Sequence, residues 1–162
     1  TIKVNATTLP LKVKQKTSAL KVTGLAKGDS VKSWKSGNTK IFTVSSKGVI
    51  TAGKKTGKAT LTITLASGLK KNITVKVQKS TVTTSKISGL KSKVTLKKGK
   101  KLTLKPVRTP ITSKQKFTYS TSNKKIVAVS GKGVITAKKA GKAKITVKSG
   151  KKKFTVTVTV TK

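Results

Sequence analysis

One segment of this 162-residue chain occurs twice, and the repeat limits the possible folds more than any other feature. Residues 45–59 read SSKGVITAGKKTGKA, and residues 130–143 read SGKGVITAKKAGKA. Between 38–52 and 123–137, 11 of 15 positions are identical. A long internal match of this kind indicates two copies of one structural unit. We therefore expect two units of about 80 residues with the same fold.

The alignment of the two copies extends over nearly the whole chain. At an offset of 85 residues, Trp34 aligns with Tyr119. The offset falls to 84 after Gly53, and the last strand is aligned at 81, which places Ile73 opposite Phe154. These changes of offset fall in Gly-, Lys- and Ser-rich stretches, where loops accept insertions.

The repeat also sets the domain boundaries. The predicted domains are residues 1–80 and 87–162, joined by a linker at 81–86. This linker is short and polar and contains neither Gly nor Pro. It is expected to behave as a restrained hinge and not as a long flexible tether.

Alternating apolar residues predict short β-strands in both copies. Residues 58–66 read KATLTITLA and residues 72–78 read NITVKVQ, so every second residue is apolar. Such alternation buries one face of a strand and exposes the other. Further strands are predicted at 9–13, 18–22, 30–34, 41–44 and 49–52. Turn-forming residues separate these runs, and the spacing predicts a small antiparallel sandwich or barrel.

The net charge of the chain is extreme. Forty basic residues, all lysine except Arg108, accompany a single acid, Asp29, for a net charge of +39. Charge of one sign opposes collapse and is common in disordered chains. However, Val, Ile, Leu and Phe supply 42 residues. That is about a quarter of the chain, above the roughly one-fifth below which chains stay unfolded. We therefore expect an all-β folded protein.

The shared motif resembles the bacterial Ig-like domain of group 2. Residues 34–63 carry W-x-S-x-N-x-x-I-F-T-V-S-S-K-G-V-I-T-A and then G-K-A-T-L-T-I. Residues 119–147 carry a matching run, Y-S-T-S-N-K-K-I-V-A-V-S-G-K-G-V-I-T-A and then A-G-K-A-K-I-T-V. The preceding TLKKGKKLTL at 95–104 is similar to the family's opening strands. The first copy departs from the family at 9–22, which lacks the usual Gly.

This resemblance implies both a fold and a setting. The implied fold is two tandem Ig-like antiparallel β-sandwich domains. Members of the family form stalk and adhesion modules of bacterial surface proteins and accessory modules of secreted enzymes. The resemblance therefore implies a non-catalytic extracellular module of a bacterial surface or secreted protein, beside neighbouring domains of a larger parent protein.

The composition gives no support to catalysis, cofactor binding or metal binding. The chain has no His or Cys, and a Ser–His–acid triad needs a base. Glycoside hydrolysis needs two carboxyl groups and calcium binding needs several carboxylate oxygens, but Asp29 is the only acid. We expect Asp29 to be a turn residue that accepts hydrogen bonds from nearby backbone N–H groups. No apolar run reaches the length of a membrane span.

The aromatic residues and the repeated glycines are interpreted structurally. Trp34 and Tyr119 occupy equivalent positions, which favours a core role over an exposed sugar-binding platform. Gly48 and Gly133 are expected at turn positions with positive φ.

The lysines are the remaining candidates for function. The candidate polyanion-binding residues are Lys54, Lys55, Lys58, Lys97, Lys98, Lys100, Lys101, Lys138, Lys139, Lys142, Lys151, Lys152 and Lys153. Lysines also keep strands soluble and discourage edge-to-edge pairing, so a solvated coat is the alternative.

Two functions therefore stay open. The first is a stalk or spacer that also serves cell adhesion. The second is an electrostatic binder of polyanions, such as an anionic cell-wall polymer (teichoic acid), an acidic host glycan (mucin), heparin-like chains or nucleic acid. Because Arg is the residue suited to bidentate base recognition, and Arg108 is the only one, nucleic acid would be bound only non-specifically.

Overall fold

The computed structural model describes every residue, Thr1–Lys162, and contains strands and turns but no helix. The residues form two compact units. Unit 1 is Thr1–Val82 with Pro110–Thr112, and unit 2 is Thr83–Thr109 with Ser113–Lys162.

Unit 1 is built from nine strands in three sheets. The strands are β1 (Lys3–Val4), β2 (Thr8–Lys12), β3 (Lys16–Thr17), β4 (Val22–Thr23), β5 (Val31–Ser36), β6 (Phe42–Val44), β7 (Ile50–Ala52), β8 (Gly57–Leu65) and β9 (Lys70–Gln78). The main sheet has the order β2-β9-β8-β5, a second sheet has the order β3-β7-β6, and β1 pairs with β4.

Unit 2 repeats this arrangement strand for strand. Its strands are β10 (Lys86–Ser88), β11 (Lys93–Lys97), β12 (Lys101–Thr103), β13 (Val107–Thr109), β14 (Phe117–Thr121), β15 (Val127–Val129), β16 (Val134–Ala137), β17 (Gly141–Ser149) and β18 (Lys152–Thr161). The sheet orders are β11-β18-β17-β14 and β12-β16-β15, and β10 pairs with β13. The predicted fold class, two Ig-like β-sandwiches, is confirmed.

One pairing in each unit differs from a wholly antiparallel sandwich. Strand β2 pairs with β9 in parallel, and β11 pairs with β18 in parallel, over five residue pairs each. The other ladders are antiparallel. After β2 the chain crosses to the second sheet, so the last strand returns beside β2 in the same direction. Local alternation in the sequence carries no information about this direction.

The core of each unit lies between its two larger sheets, as the alternation predicts. In β8, Leu61 and Ile63 are fully buried, and they share a core cluster with Phe42 of the second sheet. In unit 2, Val156 and Val158 of β18 are likewise fully buried. Burying side chains from both sheets removes their apolar surface from water, which is the main favourable term in folding.

The repeat alignment of the last strand of each unit, β9 with β18, is wrong by two residues. The pairing of β8 with β9 and of β17 with β18 gives Val75 and Val158 equivalent places. Ile73 therefore corresponds to Val156 and not to Phe154. The true offset is 83, because the hairpin before β9 is one residue longer than the hairpin before β18.

Three residues far along the chain belong to unit 1. Ile111 packs against the unit 1 core. The Thr112 hydroxyl donates a hydrogen bond to the carbonyl of Pro10, and the Gln15 side-chain amide donates one to the carbonyl of Thr112 at 2.8 Å. The repeat alignment did not predict that these residues belong to unit 1, because it places residues 110–112 in the second copy.

The turn after β2 keeps its shape without the glycine of the family pattern. Lys14 is the only non-glycine residue with positive φ, at 63°. Gly99 holds the corresponding place in unit 2 with φ 84°, and a Cβ there would contact nothing within 4 Å. The left-handed conformation costs an L-residue with a side chain roughly 1–2 kcal/mol. Lys14 therefore stores backbone strain.

We expect Lys14→Gly to raise the free energy of unfolding of unit 1 by about 0.5–1 kcal/mol, since relief of strain outweighs the entropy cost of glycine. The reciprocal change, Gly99→Lys, should lower that of unit 2 by about 1 kcal/mol. Urea unfolding curves of both variants test the pair. A destabilising Lys14→Gly would contradict the assignment of strain.

Candidate polyanion-binding surface

All thirteen candidate lysines are exposed. Unit 2 contains no acidic side chain, because Asp29 in unit 1 is the only one in the chain. No side-chain carboxylate in unit 2 is thus available to neutralise its lysines, and its surface carries charge of one sign. Such a surface attracts anions over a distance set by the ionic strength, about 8 Å at physiological salt.

Six of the unit 2 candidates meet at one end of that unit. The Gly99 amide donates to the carbonyl of Ala137 at 2.8 Å, and the Ala137 amide donates to the carbonyl of Lys100 at 2.9 Å. These bonds join the β11–β12 turn to Ala137, the last residue of β16, which Lys138 and Lys139 follow directly. We call the resulting set the end cluster: Lys97, Lys98, Lys100, Lys101, Lys138 and Lys139. Lys142 lies nearby on β17, paired with Thr159.

The remaining unit 2 candidates lie elsewhere. Lys151, Lys152 and Lys153 form or follow the hairpin between β17 and β18, where Lys152 pairs with Ser149. Gly141 marks the other end of the same ladder, eight residue steps from Ser149. At about 3.4 Å per residue, this separation is about 27 Å. The candidates therefore do not form one continuous site.

Unit 1 carries a corresponding cluster that the candidate set only partly includes. The Lys14 amide donates to the carbonyl of Gly53 at 3.2 Å, so the β2–β3 turn lies beside Lys54 and Lys55. Lys14 and Lys16 of that turn therefore belong with these two lysines. The repeat alignment could have identified them, because it places residues 12–16 opposite 97–101.

Two pairs of lysines face each other directly across strands. Lys58 is paired with Lys76, and Lys148 is paired with Lys153. Like charges at directly opposed positions destabilise a sheet. The placement of these lysines therefore does not serve the stability of the sandwich.

Asp29 has a structural role that reaches beyond its own turn. As predicted, its carboxylate accepts a hydrogen bond from the Ser30 amide, at 2.9 Å. It also accepts bonds from the Ser67 hydroxyl at 2.7 Å and the Ser67 amide at 3.1 Å. The Ser67 hydroxyl contributes most to holding the pKa of Asp29 below its ordinary value of 3.8. This link could not be predicted from the sequence, because Ser67 is 38 residues away from Asp29.

Because Asp29 is the only acidic side chain, the free energy of unfolding at acid pH tests its contribution directly. Because the pKa of Asp29 is lower in the folded chain, its contribution to stability is present above the unfolded pKa and is lost as pH falls through the folded pKa. Most proteins lose stability in acid because many carboxylates behave in this way. We expect urea unfolding midpoints to change little between about pH 7 and about pH 4. Below about pH 4 we expect a small loss of stability, and this loss should vanish in Asp29→Asn. A large loss of stability in that variant would contradict the prediction.

Trp34 and Tyr119 pack against the cores of their units, as predicted, although neither is fully buried. Each ring lies on a turn glycine. A Cβ on Gly48 would be 2.7 Å from Cζ2 of Trp34, and a Cβ on Gly133 would be 2.7 Å from Cζ of Tyr119. Both glycines have positive φ, as the sequence predicted. Burial raises the pKa of the Tyr119 hydroxyl above its ordinary value.

The second half of the chain matches a known family. Residues 81–160 match the model of the bacterial Ig-like domain (group 2). This is the family that the repeated motif resembles, and the matched range includes the strands of unit 2 except the last residue of β18, Thr161. No curated protein matches the chain. No helix in the structure is both long and apolar enough to span a membrane.

The chain is also similar to several solved structures. Domains 5–6 of the S-layer protein SbsC are 22% identical, with a TM-score of 0.46, and cover 100% of this chain and 98% of theirs. Domains 4 and 5 of SbsC are 23% identical, with a TM-score of 0.44, covering 80% of this chain and 70% of theirs. An Ig-like domain-containing GH10 xylanase from termite gut is 24% identical, with a TM-score of 0.36, over 42% of this chain and 18% of its own.

Proposed function

We propose that this chain is a non-catalytic structural module of a bacterial surface or secreted protein, in which two Ig-like domains of group 2 act as a stalk or spacer. The observation that carries the proposal is the identical strand pairing of the two units. Each unit has its first long strand parallel to its last, so the chain enters and leaves the main sheet at opposite ends. A unit of this kind adds length wherever it is inserted.

The family match of residues 81–160 supports this proposal. The shared motif and topology support assigning unit 1 to the same family. The proposed domains are residues 1–80 and 87–162 with a linker at 81–86, although Thr83 already belongs to unit 2 and Lys86 pairs with Thr109 in β10. Cell adhesion, an extracellular location and neighbouring domains in a larger parent protein are part of the same proposal.

A second candidate function is the binding of polyanions. It is favoured by the end cluster, where hydrogen bonds between two segments concentrate six exposed lysines. It is also favoured by the opposed pairs Lys58–Lys76 and Lys148–Lys153, which cost stability. The proposed ligands are wall teichoic acid, acidic host glycans such as mucin, and heparin-like chains, with nucleic acid bound non-specifically.

One experiment separates the two functions. The end-cluster variant changes Lys97, Lys98, Lys100, Lys101, Lys138 and Lys139 to Gln. The control variant makes the same change at six exposed but dispersed lysines, Lys27, Lys47, Lys70, Lys79, Lys86 and Lys116. Both variants lose the same net charge, so the position of the lysines is the only variable.

Affinity for wall teichoic acid, mucin, heparin and DNA is then measured at several salt concentrations. If the end cluster binds polyanions, removing it should reduce the slope of log affinity against log salt concentration by roughly 0.7–0.9 per lost contact. The control variant should change this slope much less. Equal effects of the two variants would contradict a polyanion site. The spacer proposal instead predicts that cells displaying the chain below an adhesive head attach equally well with either variant.

A further inference from the structure

Unit 2 contains a cavity of about 450 Å³ whose lining includes residues of the edge strands β11 and β12. Each of these strands ends its sheet, so the cavity lies at the open seam of the sandwich. The apolar part of its lining is Leu90, Val94, Leu96, Leu102 and Leu104. The polar part of the lining includes three exposed lysines, Lys91, Lys93 and Lys105. We call this cavity the seam pocket.

Unit 1 provides an internal comparison, because the residues at the equivalent positions of its own edge strand are buried. At the places of Val94 and Leu96, unit 1 has Leu9 and Leu11, which are both 0% exposed. Val94 and Leu96 themselves remain partly exposed. Unit 1 also includes Ile111, which packs against its core, and Thr112, whose hydroxyl donates to the Pro10 carbonyl on β2. Unit 2 receives no segment of this kind, and its seam is open at Val94 and Leu96.

A second difference lies at the position of Leu90. Its counterpart in unit 1 is Asn5, which bridges this segment to the next one along the seam. The Asn5 side-chain amide donates to the carbonyl of Ala19 at 2.8 Å and accepts from the Lys21 amide at 2.8 Å. A leucine cannot make this bridge. In unit 2 its apolar side chain instead lines the pocket.

The chemistry of the lining defines the ligand. The volume lies within the range of small-molecule sites, about 300–1,000 Å³, and the leucines and valine offer apolar contact. The lysines offer positive charge, and no acid of unit 2 competes for it. Val107, an apolar side chain left 48% exposed, lies beside Gly89 of the lining and extends the apolar surface. A molecule with an apolar chain and an anionic head matches both parts.

We infer that the seam pocket binds a single-chain anionic amphiphile, with its alkyl chain between β11 and β12 and its carboxylate or phosphate head on Lys91, Lys93 and Lys105. This inference stands apart from the stalk proposal and from polyanion binding at the end cluster. Apolar burial supplies affinity here, whereas the end cluster offers charge alone.

The test uses the whole chain and a series of fatty acids, octanoate, decanoate and dodecanoate, below their micellar concentrations. Binding is followed by ¹H–¹⁵N NMR. We expect saturable binding, amide shifts concentrated in residues 89–105, and affinity that rises up to about fourfold with each added methylene. Shifts spread over the lysines of both units, or affinity independent of chain length, would overturn the inference.

Matched variants separate the pocket from general charge attraction. Changing Lys91, Lys93 and Lys105 to Gln should weaken dodecanoate binding about fivefold at low salt. The same change at Lys138, Lys139 and Lys142 removes equal charge and should weaken it less than about twofold. An equal loss in both variants would overturn the inference, as would equal affinity for dodecyltrimethylammonium.

A third variant, Leu90→Asn, introduces the unit 1 residue into the pocket and should also weaken binding. Its urea unfolding curve shows whether unit 2 is still folded. The lysine variants change only exposed side chains, so they keep the inference testable if Leu90→Asn does not fold. Two sources of the ligand, a free fatty acid and a lysophospholipid, are distinguished by comparing dodecanoate with a single-chain phosphate of equal chain length. Failure of both to bind would overturn the inference.

Discussion

Replacing Phe42 with Ala is expected to lower the free energy of unfolding of unit 1 by about 3–5 kcal/mol. Phe42 is fully buried and belongs to the unit 1 core cluster. Its removal deletes apolar contacts and leaves a cavity that the surrounding strands fill only in part. The bond from the Ser36 hydroxyl to the Phe42 carbonyl, at 2.7 Å, uses the backbone and survives the change. The loss therefore reports on side-chain packing alone.

Trp34 is the only tryptophan and lies in unit 1, so its fluorescence in urea follows that unit. Thr43→Ala is the control, since Thr43 is an exposed neighbour on the same strand and should cost less than about 0.5 kcal/mol. Phe42→Val, which introduces the residue found at Val127 in unit 2, should cost less than Phe42→Ala. A cost for Phe42→Ala below about 1 kcal/mol would show that the core of unit 1 is placed wrongly.

Gly48→Ala is expected to lower the free energy of unfolding of unit 1 by about 2–4 kcal/mol. The backbone at Gly48 has φ 75°, which costs alanine about 1 kcal/mol. The new Cβ would also lie 2.7 Å from the Trp34 ring, and overpacking of this kind adds about 1–3 kcal/mol. The displaced ring should also change the tryptophan emission of the folded protein.

Gly28→Ala is the matched control, because Gly28 has φ 82° but an added Cβ would contact nothing within 4 Å. It should cost only the backbone term of about 1 kcal/mol. In a Trp34→Ala background, the cost of Gly48→Ala should fall to that of Gly28→Ala. An unchanged cost in that background would show that the ring does not press on the turn.

The sequence predicted those features that depend on residues close together in the chain. Alternation assigned the buried faces of β8 and β9, and turn chemistry predicted positive φ at Gly48 and Gly133. The parallel pairing of β2 with β9 could not be predicted, because it depends on the path of the chain between them. The bond from Ser67 to Asp29 was missed for the same reason.

In the candidate site, too, local features could be predicted from the sequence and contacts between distant segments could not. Exposure of the thirteen lysines followed from their place among polar residues, but their grouping did not. The end cluster exists because Gly99 and Ala137 are hydrogen-bonded across two segments, and the hairpin at Lys151 lies far from it. The seam pocket was not predicted, since Val94 and Leu96 look like ordinary core residues in the sequence.

The parallel pairing of β2 with β9 and of β11 with β18 has a mechanical consequence. When a unit is pulled by its two chain ends, force passes through the short strand β1 or β10 and then enters the main sheet at the start of β2 or β11. It leaves the main sheet at the end of the partner strand, β9 or β18. The two strands must then slide past each other, so the hydrogen bonds over five residue pairs share the load. A hairpin pulled from its open end breaks its bonds one at a time. Each unit is thus arranged to resist stretching by shear, which suits a domain that carries tension along its chain.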